Sequence, residues 1–205
     1  MLTLALALLL AGASPVDHHA GNVSALLPAA RIERAGAVID AQPGSEVQEN
    51  DLFRTDAQGR ARIRLIDQSI LSLGVNSQLR IVKYDKAGRQ ASVQLNFGKL
   101  RARVAKLTRG GRFEVSTPVA VAGAIGTDFG VDASDPDLTK VICISGMVQI
   151  TSADPTLPGT VTCRGGTTVT VRRGQPPEQP QAATRDQIQT WKTITEPEVN
   201  DSKPY

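Results

Sequence analysis

The sequence predicts an all-β fold, and three observations carry that prediction. Short apolar runs recur at spacings near ten residues, turn-forming residues separate them, and no segment before residue 182 repeats with a helical period. A sandwich or jelly-roll-like β domain is the expected architecture. A short β-solenoid is the alternative. Gly88, Gly98, Gly110-Gly111 and Gly146 favour it, and the lack of a repeat at fixed spacing disfavours it. A chain of 205 residues fits one such domain.

Residues 1–13 read as a signal peptide. Leu2 to Leu10 is an apolar run, and Ala11-Gly12-Ala13 is a small-x-small cleavage pattern. The run is shorter than the roughly 20 residues a membrane-spanning helix needs, so the mature chain is expected to carry no integral span. Export to the periplasm or beyond is the expected destination. Residues 14–29 then read as a flexible lead-in, 30–173 as the β domain, and 174–205 as a Pro-rich linker, short helix and polar tail.

Within the domain, Val38-Ile39 precedes the turn Pro43-Gly44, and Asp56 to Gly59 is a turn before the alternating run Arg60 to Leu65. Ile70 to Leu73 and Leu79 to Val82 are strands around the turn Gly74 to Ser77. Asp85-Lys86-Ala87-Gly88 marks a hairpin, after which Val93, Leu95 and Phe97 alternate. Leu100 to Val104 and Phe113 to Thr117 follow, the latter stopped by Pro118. Phe129 to Val131, Lys140 to Ile144, Met147 to Ile150, Thr160 to Cys163 and Thr167 to Val171 complete the set. Beyond the extended stretch Gly174 to Pro180, Thr184 to Ile194 predicts one helix. Thr184 is its N-cap, Gln187 holds the capping-box position, and Ile188 and Trp191 share a face.

Composition narrows the chemistry. Aromatic residues are 3% of the chain, which is thin for a surface that stacks sugars or bases. The two histidines, His18 and His19, sit beside the processed N-terminus, which argues against Ser-His-Asp or Cys-His catalysis and histidine-rich metal sites. No cofactor, no metal and no nucleic-acid partner is expected. Asp128, Asp132, Asp135 and Asp137 form the one acidic cluster worth testing, either as a carboxylate pair of a glycan-directed enzyme or as a calcium site, although it lacks a calcium-loop register. Cys143 and Cys163 are an even pair in a chain read as exported, and a disulfide between neighbouring strands is the expectation, with two buried free thiols as the alternative.

Charge is uneven. Between Arg54 and Arg112 lie 14 basic and three acidic residues, whereas both flanks are acidic. Arg60, Arg62 and Arg64 alternate with Ala61, Ile63 and Leu65, and Arg101 and Arg103 with Ala102 and Val104. Period 2 places each arginine set on one strand face, so the five form a possible positive stripe for an anionic polymer, lipid surface or acidic protein. Pairing with acids of the same chain is the competing reading.

A longer pattern overlies these elements. Asn50-Asp51-Leu52-Phe53-Arg54-Thr55 is followed by Gly59 to Ile63, then by Leu65-Ile66-Asp67-Gln68-Ser69 and by Gly74-Val75-Asn76-Ser77-Gln78-Leu79. Phe97-Gly98-Lys99-Leu100-Arg101-Ala102 comes next. The most specific piece is Phe113-Glu114-Val115-Ser116-Thr117-Pro118 through Gly126-Thr127-Asp128-Phe129, closed by Ser145-Gly146-Met147-Val148. Together, Asp51 to Ile150 resembles the FecR domain, the periplasmic module of bacterial iron-citrate regulators. Gln68 stands where that family has glycine. The resemblance implies structural roles for Asp51, Thr55, Asn76, Ser77, Gly98, Thr117, Pro118, Gly126, Thr127 and Phe129. It further implies a non-catalytic domain. Regulatory members of the family add a cytoplasmic sigma-factor-binding segment, a transmembrane helix and a receptor-contacting domain. The expectation here is a stand-alone exported domain that binds an envelope partner, with FecR-type signalling in iron-uptake regulation as the alternative.

Overall fold

The computed structural model describes residues 19–85, 90–106 and 111–195. The signal-peptide assignment, most of the 85–88 hairpin and the polar tail lie outside them. The described residues are almost entirely β, an open mixed sheet with one short helix. Its strands are β1 (His19–Leu27), β2 (Ala30–Arg34), β3 (Ala37–Asp40), β4 (Glu46–Gln48), β5 (Leu52–Thr55), β6 (Arg60–Leu65), β7 (Ile70–Leu73), β8 (Gln78–Asp85) and β9 (Gln90–Arg103). They continue as β10 (Arg112–Ser116), β11 (Ala120–Ala124), β12 (Asp128–Asp135), β13 (Leu138–Ser145), β14 (Met147–Ser152), β15 (Val161–Arg164), β16 (Thr167–Arg172) and β17 (Gln181–Ala182). The helix is α1 (Arg185–Ile194).

Strand β9 joins two ladders. Its residues from Gly98 onward pair with β7 and β12, within the order β4-β1-β6-β7-β9-β12-β13-β16-β17. Its first half pairs with β8 and β10, within the order β3-β2-β5-β8-β9-β10-β11-β14-β15. The β9–β10 pairing is parallel and the others are antiparallel, which makes the sheet mixed. Inward side chains of both ladders form one core cluster, with Phe53 and Phe113 from one ladder and Phe129 from the other fully buried. Ala61, Ile63 and Leu65 enter this core as their alternation predicts.

Three expectations change. The segment read as a flexible lead-in holds β1, whose Ala20, Val23 and Ala25 are buried. Its small side chains give little hydropathy signal. Gly21 lets it approach β6 closely, because a Cβ there would lie 2.8 Å from Leu65 Cα. Phe97 does not continue the buried series of Val93 and Leu95. A register shift pairs Gln78 with Phe97 but Leu79 with Leu95, and the bulge leaves Phe97 40% exposed. The Pro-rich stretch is docked rather than free. Glu178 N–H donates to Thr170 O (2.9 Å) and β17 pairs with β16. The helix forms as its sequence dictates, with Thr184 and Gln187 closing a reciprocal capping box.

Candidate partner-binding surface

The polar residues of the 51–129 pattern turn inward on one another. Asp51 is fully buried and accepts both Nε and Nη2 of Arg34 at 2.7 Å, plus the Gln48 N–H at 2.8 Å. The Asp51 carboxylate in turn raises the Arg34 guanidinium pKa through this bond. Thr55 Oγ1 donates to Gly74 O (2.7 Å) and accepts the Ser77 N–H (2.9 Å), which clips β5 to the turn before β8. Ser77 Oγ accepts the Lys99 N–H (3.0 Å) and donates to Val75 O (3.0 Å). Gly98 is what lets β9 pass this hydroxyl. Its φ is +93°, and a Cβ would fall 2.6 Å from Ser77 Cα. Asn76, at φ +47°, occupies the left-handed turn position that asparagine tolerates.

The second half of the pattern repeats the logic. Thr117 Oγ1 accepts the Ala120 N–H (2.9 Å) and meets Thr139 Oγ1 (2.8 Å), while Pro118 sits exposed in the turn that β10 enters and β11 leaves. Thr127 Oγ1 donates to Met147 O (2.9 Å) beside Gly126 at φ +63°. Phe129 fills the core. These groups are engaged within the fold.

The five arginines do share one sheet face. Arg62, Ser72 and Arg101 are register neighbours across β6, β7 and β9, and Arg64, Ile70 and Arg103 form the adjacent row. The face is not an open stripe, however. Arg62 and Arg101 are 6% and 5% exposed, Arg60 and Arg103 are half-buried, and Arg64 is exposed. Arg101 forms a bidentate pair with Asp128, at 2.9 and 2.8 Å. The first row continues through Gly130, Ile142 and Thr168, all buried although they lie on the side away from the core. Trp191 of α1 supplies the cover, with its ring against Gly130. The sequence marks the helix and its Trp191 but not the sheet position beneath them.

The acidic residues are dispersed into separate contacts. Asp128 meets Arg101, Asp132 meets Lys99 (3.3 Å) and Asp137 meets Arg173 (2.7 Å). Asp135 accepts the Asp137 N–H, and both line an open cleft with Arg172 and Arg173. Among the described residues no three His, Cys, Asp or Glu side chains gather as a metal site.

The expected disulfide is corrected. Cys143 and Cys163 are free thiols, both fully buried. They belong to different ladders, on β13 and β15, which are in contact but are not hydrogen-bonded partners. Cys143 Sγ lies 3.4 Å from Gly146 O, and Cys163 Sγ lies 3.4 Å from Thr167 O. The Cys143 thiol also donates toward Cys163, and this bond together with burial pushes its pKa up. An even cysteine count reflects compartment, whereas here the pair packs as small hydrophobes.

Residues 51–149 match the family described as FecR protein. Two crystal structures of a Parabacteroides distasonis protein, described as a candidate anti-sigma factor and solved at 1.65 and 2.50 Å, share the fold. Each has a TM-score of 0.58 and 16% sequence identity and covers 68% of this chain. The chain spans 63% of that protein's length. No curated protein matches in sequence. The chain therefore contains a FecR-related domain over residues 51–149, and its fold is shared with the Parabacteroides protein. Among the described residues no helix is long and apolar enough to cross a membrane.

Proposed function

We propose that this FecR-related chain is an exported, non-catalytic recognition domain of the bacterial envelope that binds a partner there in a signalling role. The observation that carries the reading is the inward engagement of the motif, from Asp51–Arg34 to Thr127–Met147 O. It leaves a rigid scaffold whose free chemistry lies in its surface charge and turns. The two ladders around one core read best as a sandwich, a scaffold suited to presenting loops and edges. The partner is an envelope protein or an anionic polymer or lipid surface, with Arg60, Arg64 and Arg103 as the accessible part of the arginine face. Nucleic acid is not the partner, since the basic residues lack interleaved aromatic rings. A role in FecR-type regulation of iron uptake is a second reading, motivated by the match of residues 51–149 to the FecR family.

The test is photo-cross-linking in living cells, with p-benzoylphenylalanine replacing Arg64. A discrete adduct with an envelope component is expected. Adducts confined to cytoplasmic proteins, or none, would overturn the proposal.

A further inference from the structure

One end of the molecule gathers three chain reversals and the exit of β9. Val104 N–H after β9 donates to Thr127 O (2.8 Å), between β11 and β12. Thr127 Oγ1 lies 3.3 Å from Ile125 O and 2.9 Å from Met147 O, so the β11–β12 and β13–β14 connections are held side by side. Gly165 N–H, after β15, donates to Gly146 O (3.0 Å).

This well-tied end displays two large apolar side chains to solvent. Ile125 is 61% exposed and Met147 is 54% exposed. Exposed cations surround them. Arg164 Nη1 lies 2.9 Å from Met147 Sδ, and Lys106 packs against Gly126. Arg112, by contrast, lies over Gly123 and pairs with Glu114 (3.3 Å). The nearby acids are already engaged, Asp128 with Arg101 and Glu114 with Arg112.

We infer that this end is a docking surface for an anionic phospholipid bilayer, with Ile125 and Met147 entering the interface and Lys106 and Arg164 meeting phosphate headgroups. Two apolar tips are far too small for a stable protein interface, which buries about 800 Å² per partner. They suit shallow insertion reinforced by basic residues at headgroup level. The tips stand on turns, whereas a peptide ligand would call for a concave groove. The inference rests on the envelope reading only for where such a bilayer is met. Vesicle binding by purified protein is independent of location, so either can fail alone.

The test is co-sedimentation of the purified chain with phosphatidylcholine vesicles, with and without one quarter phosphatidylglycerol, at low and physiological salt. Any contribution of residues 1–13 is common to all variants. Wild type is expected to bind the anionic vesicles, more weakly as salt rises, and to bind pure phosphatidylcholine poorly. Ile125→Glu with Met147→Glu, and separately Lys106→Glu with Arg164→Glu, are each expected to weaken binding about tenfold or more. Val38→Glu, on the equally exposed β3, is expected to change it little. Thermal melts check that every variant folds. The inference is overturned if wild type ignores anionic vesicles, the result expected of a protein-docking tip. It is also overturned if the tip variants bind like wild type, or if Val38→Glu weakens binding as much as they do.

Discussion

Removing Arg34 isolates the energetic role of the buried carboxylate at the start of the FecR-like region. Asp51 is fully buried and has three donors, two from Arg34 and one from Gln48 N–H. Arg34→Ala leaves one donor for a buried negative charge. Stripping one partner from a buried pair costs about 3–5 kcal/mol. The Arg34 side chain is 27% exposed, so water can partly replace it, and the lower end, about 3 kcal/mol, is expected here. Asp51→Asn keeps an acceptor for Gln48 and should cost less. Arg34→Met with Asp51→Leu removes both charges and should cost less than the two single changes added together. Urea denaturation reads this directly. With a slope of about 2–3 kcal/mol/M, Arg34→Ala should lower the midpoint by about 1 M or more. A loss below about 1 kcal/mol, or strict additivity in the double variant, would refute a structural pair.

Gln68 holds φ +71° where the related family has glycine, so Gln68→Gly should raise stability by about 0.5–1 kcal/mol in the same assay; a lower midpoint would contradict the strain argument. Gly130→Ala would place a Cβ 2.6 Å from Trp191 Cε3, and the ring must move. Because Trp191 is the single tryptophan, its emission should shift to the red as α1 loosens, and an unchanged spectrum would mean the helix does not cover that face. Both thiols should resist Ellman's reagent in the native protein and react once unfolded without reductant; failure to react in denaturant would restore the disulfide.

Much of the fold was legible because its elements announce themselves locally. The arginine-alanine-isoleucine alternation of β6, whose apolar half enters the core, and the Thr184–Gln187 capping box are short-range signals that the structure forms. What escaped is tertiary. Period 2 places Arg62 and Arg101 on the outer face, but only the return of α1 decides that this face is covered. The partner of Asp51 lies 17 positions upstream on β2, with no spacing rule to reveal it. The bulge that turns Phe97 outward depends on β8. Ile125 and Met147 read as ordinary strand-end residues until their connections are seen tied together through Thr127.

A partner-binding role in the envelope requires the folded domain to stand outside the cytoplasm. The most direct measurement fuses alkaline phosphatase, which matures only where its own disulfides can form, to the C-terminus of the full chain and assays intact cells. An active fusion recovered with the periplasmic or secreted fraction is predicted. A stable but inactive fusion confined to the cytosol would contradict the account.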